Sequence, residues 1–366
     1  MTNTKFNTIT AGQLFCMLFI TRMVVNITYS PFMAASDAML DQTVSCCLSI
    51  VLIVLIAVPI YCLHRRWPND NLVDQAGIMT GRFLGALITA FYGLYFLYVC
   101  SYNLSFYSAF ITNVMAPKFS SSLLTLAVLI TACYGAFRGV EALARASGII
   151  IVIVVACLLF FITALLFKID PLNYAPLLYD GTEEIWTGIQ QMIGTSSCVV
   201  FIGMLLPLTK GNIRKGFFAW VFSTHITLII LILVIVGVLG DFVKTQIFPI
   251  YAAASVAEMG IIKRVDALFF AVWTTCLFVK ISLGLHLFSL CVKKILGEKA
   301  ARISILLGAA AVFAYSLWNV LDEKSIFHIY RIGVTFWITI SAALFVPLIL
   351  LAIDLIKNGR GKPHEV

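Results

Sequence analysis

The 366-residue sequence contains little charge. Only 11% of its residues are Asp, Glu, Lys or Arg, whereas 61% are apolar. Soluble domains carry about 25% charged residues on average. A globule of this length could not cover its surface with so few polar groups, so the composition excludes a soluble globular protein and predicts a chain solvated by lipid.

The sequence also lacks the patterns of enzymes and metal sites. Its ten cysteines and five histidines form no C-x-x-C pair and no zinc-ligand spacing. There is no nucleophile elbow and no phosphate-binding loop. Most of the cysteines fall inside apolar runs, where we expect them to pack. We therefore expect no enzyme activity, no metal and no cofactor.

The net charge of +8 does not indicate nucleic acid as a partner, because Lys and Arg lie in short segments between apolar runs rather than on one stripe. These basic residues are concentrated in alternate segments, which predicts a cytoplasmic location for both termini. The opposite segments carry the acidic residues Asp37, Asp41, Asp170, Asp180, Glu183 and Glu184.

Apolar runs long enough to cross about 30 Å of hydrocarbon predict an all-α membrane protein of ten transmembrane helices. The predicted spans are 10–35, 44–64, 82–115, 120–138, 146–168, 185–209, 216–241, 265–295, 300–321 and 331–356. Residues 1–366 form one transmembrane domain. Its first repeat covers about 9–168, its second repeat of inverted topology about 185–357, and 358–366 form a cytoplasmic tail.

Two of these spans are predicted to be broken near the middle of the bilayer. In helix 1 the run Asn26-Ile27-Thr28-Tyr29-Ser30 is followed by Pro31, which disfavours helix at the residue before it. In helix 6 the polar run Gly194-Thr195-Ser196-Ser197-Cys198 interrupts an apolar segment. Paired breaks of this kind indicate a binding site between two repeats. Packing by small residues that bond to their own helix is the structural alternative.

Four passages carry a resemblance to one family. They are Ile9-Thr10-Ala11-Gly12-Gln13-Leu14-Phe15, Gly139-Val140-Glu141-Ala142-Leu143-Ala144-Arg145, Phe248-Pro249-Ile250-Tyr251, and Lys263-Arg264-Val265-Asp266-Ala267-Leu268 leading to Trp273. With these passages the chain resembles the bacterial spore germination permeases, the B subunits of nutrient germinant receptors, within the amino acid–polyamine–organocation superfamily.

The resemblance implies a leucine-transporter-like fold with a small germinant, typically an amino acid, held between broken helices 1 and 6 and helices 3 and 8. It also implies an A subunit and a lipoprotein C subunit as partners, in the spore inner membrane or the cell membrane. Where the family carries glycines at the breaks, this chain has Val24-Val25-Asn26 and Val199-Val200-Phe201. This departure predicts a different or narrower pocket. The predicted ligand-binding residues are Val24, Asn26, Ile27, Thr28, Tyr95, Thr195, Ser196, Ser197, Cys198 and Lys280.

Two cations are predicted to lie inside spans. Lys280 falls about 22 Å along helix 8 from its outer end, where a charge marks a functional site by default. It could meet a ligand carboxylate, replace a coupling sodium, or pair for structure alone. Arg22, about 18 Å into helix 1, is a gate candidate that could equally pair with helix-end carbonyls.

Helix 3 carries four tyrosines, Tyr92, Tyr95, Tyr98 and Tyr102, on one face. We expect them to pack between helices, except Tyr95, which matches a binding position of the family. Two further pairs are predicted to act as gates or structural ion pairs: Glu141 with Arg145, which has helical i, i+4 spacing, and Arg264 with Asp266.

Three functions remain open from the sequence. The chain could be a receptor subunit in which ligand binding shifts a conformational equilibrium, a working amino acid permease, or a conducting pathway for ions or water in a larger complex. Apart from Asp266 at the outer end of helix 8, helices 1, 6 and 8 contain no carboxylate. This argues against sodium or proton coupling through an acidic side chain at membrane depth and favours the receptor.

Overall fold

The computed structural model describes residues 8–29, 40–115, 121–174, 182–257, 266–321 and 332–358. Almost all of them are helical. The helices are α1 (Ala11–Ile27), α2 (Gln42–Arg66), α3 (Leu72–Phe110), α4 (Ser121–Leu166), α5 (Thr182–Gly194), α6 (Cys198–Leu205), α7 (Ile213–Leu239), α8 (Pro249–Val256), α9 (Asp266–Leu296), α10 (Glu298–Leu321), α11 (Ile332–Ile340) and α12 (Val346–Asn358). Short π-helical segments follow α3 (Ile111–Met115) and join α11 to α12 (Ser341–Phe345).

Eight helical stretches in the described part of the chain are long and apolar enough to cross a membrane. Among these eight stretches, Thr182–Leu208, which contains the break between α5 and α6, is the most buried, because 78% of its 18-residue apolar segment is enclosed by the protein. In Ser121–Leu166 the corresponding share is 22%. Apolar side chains such as Leu94 and Ile149 remain 68% and 70% exposed. In a membrane such side chains are solvated by lipid, so the prediction of an all-α membrane protein is confirmed.

The number of spans depends on α4, which is 46 residues long. A straight helix of this length would measure about 69 Å, more than twice the hydrocarbon core. Gly139 divides it with φ 81° and ψ 177°, a conformation that favours glycine. The predicted gap of several residues between the fourth and fifth spans therefore shrinks to one glycine. The count of ten, the repeat boundaries and the side on which the termini lie stay predictions.

A similar break lies in α3, where Gly81 has φ 82°. It separates the long third span from residues 72–80, which form a helix that the sequence analysis did not predict. Asn71 caps this helix, because its side-chain oxygen accepts hydrogen bonds from the backbone N–H groups of Val73 and Asp74 at 3.0 Å each.

The start of α1 is fixed in two ways. Thr10 and Gln13 form a capping box, in which each side chain accepts a hydrogen bond from the backbone N–H of the other residue at 3.2 and 3.0 Å. The strand β1 (Ile9–Thr10) pairs in parallel with β2 (Thr209–Lys210), which lies between α6 and α7. This pair ties the beginning of the first span to the end of the sixth.

The predicted break in the sixth span is visible in the structure. The helix α5 ends at Gly194 and α6 begins at Cys198, so Thr195, Ser196 and Ser197 form this break. The helix α1 ends at Ile27, and Thr28 has left the helical conformation with ψ 7°. Residues 30–35 of the first predicted span, with Pro31, lie outside the described residues, so a break within that span stays a prediction.

Candidate functional site

A small cavity lies beside the break between α5 and α6. The centre of a water molecule can occupy about 20 Å³ inside this cavity. On the same measure, one water needs roughly 10–15 Å³. The cavity therefore has room for one or two waters and is closed to an amino acid. Five spans form its wall, through the residues Val25, Tyr98, Val99, Tyr102, Asn103, Gly194, Thr195, Ser197, Lys280, Thr335 and Thr339.

The backbone at the α5 break is held by hydrogen bonds, since helix ends leave carbonyl groups without partners. Thr195 donates from its hydroxyl to the Gln191 carbonyl at 2.7 Å, and Ser196 donates to the Met192 carbonyl at 2.7 Å. Thr339 of α11 donates to the Gly194 carbonyl at 2.6 Å. The break is thus a fixed feature of the fold, and these carbonyls are satisfied without a ligand.

Arg22 of α1 binds to the end of α5. Its guanidinium donates to the hydroxyls of Ser196 and Thr195 at 3.0 and 3.3 Å and to the Met192 carbonyl at 3.4 Å. The C-terminal end of a helix carries partial negative charge, which stabilises a cation there. Of the two roles expected for Arg22, the structure therefore shows the pairing with acceptors at a helix end.

Lys280 lies near the middle of α9 and is only 2% exposed. Unlike Arg22, it makes no hydrogen bond or ion pair with any residue that the structure describes. Its side chain lines the cavity together with Ser197, whose buried hydroxyl also has no hydrogen-bond partner. Lys280 and Ser197 thus line one cavity, and no residue in the described part of the chain accepts a hydrogen bond from the Lys280 ammonium group.

The other predicted binding residues divide between the cavity and its surroundings. Thr195 lines the cavity, whereas Cys198 lies 3.3 Å from the Thr21 hydroxyl. Tyr95 is buried near Thr339 but makes no hydrogen bond of ordinary length and angle.

The predicted residues of helix 1 point elsewhere. The Asn26 amide donates to the Thr224 carbonyl of α7 at 3.0 Å, and the Thr28 hydroxyl donates back to the Val24 carbonyl at 3.0 Å. Ile27 lines a separate apolar cavity beside α4, α7 and α9. In this conformation Val25 is the residue of α1 that faces the Lys280 cavity.

Sequence reasoning missed the contribution of the tenth span. Thr335 and Thr339 of α11 both line the cavity, and the Thr335 hydroxyl lies 2.9 Å from that of Tyr98. Two threonines four residues apart in an apolar run are common in helices, so no pattern separated them from packing residues. Tyr98 and Tyr102, expected to pack between helices, also reach the cavity wall.

The predicted gate residues lie away from the cavity. Glu141 and Arg145 form an ion pair in which the arginine side chain is 71% exposed. Asp266 is the first residue of α9 and is buried. Its predicted partner Arg264 lies outside the described residues.

An aromatic cluster joins α3, α8 and α9. Trp273 lies seven residues before Lys280 on α9, about 10 Å along the helix axis. Its ring centroid is 4.8 Å from that of Phe110 and 5.5 Å from that of Tyr107. Phe248, immediately before α8, packs on Phe110 at 5.1 Å. The passage Phe248-Pro249-Ile250-Tyr251 therefore contributes to an aromatic cluster one to two helical turns of α9 beyond the cavity.

A model of the family described as spore germination protein matches residues 8–324 of this chain. The chain belongs to the spore germination protein family. The resemblance read from the four sequence passages is thereby confirmed, and the matched range includes the cavity residues of α1, α3, α5 and α9.

A solved structure supports the fold of this family member. It is a Na⁺-coupled sialic acid symporter in a substrate-bound outward-open state, which superposes with a TM-score of 0.61 over 94% of this chain and 90% of the symporter. The sequence identity is 13%, so the likeness concerns the fold alone. The predicted transporter fold is confirmed. A search of curated protein sequences gives no match.

Proposed function

We propose that this chain is the permease-like subunit of a nutrient germinant receptor and that it binds a small carboxylate-bearing nutrient, an amino acid in the first place, at the Lys280 cavity. Binding would trigger spore germination together with A and C subunits in the spore inner membrane. Family membership supports the receptor role. The observation that carries the ligand class is the buried ammonium group of Lys280, for which the described residues provide no hydrogen-bond or ion-pair partner.

The chemistry of a buried charge supports a carboxylate. A lysine at the centre of a membrane helix costs about 2.5–3.5 kcal/mol even on mild insertion scales, and pairing with an anion offsets that cost. Arg22 cannot supply a negative charge, and no carboxylate among the described residues pairs with Lys280. A ligand carboxylate would fill this role and would also accept from the free Ser197 hydroxyl.

The small volume of the cavity supports sensing. A ligand that does not fit into about 20 Å³ binds only to a conformation in which the five spans have moved apart. Such a ligand shifts the equilibrium toward the expanded conformation. The shift is a signal that partner subunits can detect, and it requires no turnover.

The test is thermal unfolding of the purified chain with a panel of amino acids. At 100 times its dissociation constant, a ligand should raise the free energy of unfolding by about 2.7 kcal/mol. Lys280→Ala should abolish this rise. Lys294→Ala is the matched control, because Lys294 lies on the same helix and pairs with Asp74 at 2.6 Å outside the cavity. An equal rise in the wild type and in Lys280→Ala would refute the proposed site.

A working permease is the second candidate, and the fold shared with a Na⁺-coupled symporter favours it. Proteoliposomes separate the two. Saturable uptake of a ligand that stabilises the chain would identify a permease, whereas stabilisation without uptake would identify a receptor. Passive conductance in the same vesicles would instead indicate a conducting pathway.

A further inference from the structure

A second cavity opens between α2, α6 and α7, near the ends at which α2 finishes and α7 begins. Its volume, on the measure used for the Lys280 cavity, is about 300 Å³. The floor is formed by buried Ala57, Ile60, Ile202 and Leu206. Val58 and Phe218 stand at its rim, each 45% exposed. The cavity is therefore an apolar groove that opens on the surface facing lipid.

The groove has a cationic end. The guanidinium carbon of Arg214 lies 5.3 Å from the centre of the Tyr61 ring, and Arg214 Nε donates to the Tyr61 hydroxyl at 2.6 Å. The stacking leaves the two terminal nitrogens of Arg214 free, because no carboxylate among the described residues pairs with it. Tyr61 therefore orients a guanidinium fork whose donors are available to an anion.

Further basic residues lie close to Tyr61 and Arg214 in the sequence. Arg65, one helical turn after Tyr61 in α2, Lys210 in β2 and Lys215, next to Arg214 in α7, are exposed and have no acidic partner among the described residues. Arg66, by contrast, pairs with the buried Asp354. An excess of basic residues in the segments that carry Tyr61 and Arg214 is typical of basic pockets between helices that bind lipid headgroups.

The dimensions of the groove decide between a lipid and a protein segment. An α-helix is about 10–12 Å wide with its side chains, and a slot of this volume does not admit one. An acyl chain is slender and wholly apolar, so it matches the apolar lining of the groove. A guanidinium fork binds a phosphate group with two parallel hydrogen bonds.

We propose that this groove is a specific binding site for an anionic phospholipid, with one acyl chain between α2, α6 and α7 and the phosphate on Arg214. The acyl chain contacts Ile202 of α6 and Leu206, the residue after α6, so it braces the second half of the broken span against α2 and α7. The lipid thereby supports the part of the fold that frames the Lys280 cavity.

Native mass spectrometry of the full chain in detergent tests the site. Phosphatidylglycerol and phosphatidylcholine with identical acyl chains are titrated separately. The wild type should bind phosphatidylglycerol more tightly, and Arg214→Ala should weaken that binding about tenfold, which equals about 1.4 kcal/mol. Because Arg214 is exposed, the variant should fold normally, which circular dichroism checks.

The chain contains a matched control. Arg138 of α4 also stacks on a tyrosine, Tyr134, at 5.0 Å and donates to its hydroxyl at 2.7 and 3.0 Å, but that pair does not line this groove. Arg138→Ala should change phosphatidylglycerol binding less than twofold. An equal loss in both variants would mean general attraction to surface charge and would overturn the proposal.

The acyl chain is tested separately from the headgroup. Val58→Trp fills the groove from its exposed rim and should reduce phosphatidylglycerol binding while leaving Arg214 in place. Inorganic phosphate should fail to displace the lipid at equal concentration, because it buries no apolar surface. Tight binding of phosphate alone, or unchanged lipid binding in Val58→Trp, would show that the groove is not the site.

Discussion

Two buried cations near the middle of the bundle differ in their surroundings. Arg22 in α1 and Lys280 in α9 are each 2% exposed. Arg22 donates to a carbonyl and two hydroxyls at the broken end of α5, whereas Lys280 has no hydrogen-bonding partner among the described residues. Burial alone therefore does not separate a structural cation from a functional one. The difference lies in whether the fold supplies the acceptors.

The contrast explains how one bundle contains both charges. The partial negative charge of the α5 end stabilises Arg22 without a ligand and links α1 to α5 in this conformation. Lys280 faces a cavity instead, and its charge can be compensated only by something that enters. We infer that Arg22 maintains the frame of the site and that Lys280 selects the ligand.

The largest effect is expected from Arg22→Ala, which removes the guanidinium from the α5 end. The loss of three charge-assisted hydrogen bonds and the cavity left behind should lower the free energy of unfolding by about 3 kcal/mol. Chemical denaturation in micelles measures this value. Arg22→Lys should recover part of the loss, because it restores the charge but not the fork. A loss below about 1 kcal/mol would show that the hydrogen bonds of Arg22 contribute little to stability, contrary to the difference drawn between Arg22 and Lys280.

The second expected effect has the opposite sign. Lys280→Met keeps the length of the side chain and removes its charge, so the ligand-free protein should become more stable by about 2 kcal/mol. The same denaturation measurement checks it, with Lys280→Arg as the variant that retains the charge. Destabilisation by Lys280→Met would show that Lys280, like Arg22, has a structural partner.

A smaller effect should follow from Thr339→Val, which removes the donor to the Gly194 carbonyl at the α5 end. Interhelical hydrogen bonds in membranes contribute about 0.6 kcal/mol on average, so the free energy of unfolding should fall by about that amount or up to 1 kcal/mol. Thr275→Val is the control, because Thr275 is half-buried and its hydroxyl bonds within its own helix, to the Ala271 carbonyl. Equal effects in the two variants would mean that the α5 end needs no external donor.

The smallest effect is expected at the exposed pair of Glu141 and Arg145. Exposed ion pairs contribute about 0.3–0.5 kcal/mol at helical i, i+4 spacing, so Arg145→Ala should change the thermal midpoint only slightly. Ligand-induced stabilisation should not change at all, since the pair lies away from the cavity. A strong loss of ligand-induced stabilisation in Arg145→Ala would instead indicate that this pair acts as a gate. It would then be a third charged site to compare with Arg22 and Lys280.

The sequence predicted the broken sixth span correctly because the physical cause is local. Gly194 and the hydroxyl run after it are weak helix formers, and the structure interrupts the helix at Thr195, Ser196 and Ser197. The short connection at Gly139 was harder to predict, because a single glycine with positive φ can interrupt a helix where sequence patterns suggest a loop of several residues.

The composition and apolar runs by themselves determined that this protein is an all-helical membrane protein, because hydrocarbon admits only segments that satisfy their own backbone hydrogen bonds. They also located both buried cations and one broken span. Only the tertiary structure decided that Arg22 meets the end of α5, that Asn26 turns to α7 and that Thr335 and Thr339 complete the cavity. These facts depend on contacts between residues more than 100 positions apart in the sequence, which local pattern and spacing do not encode.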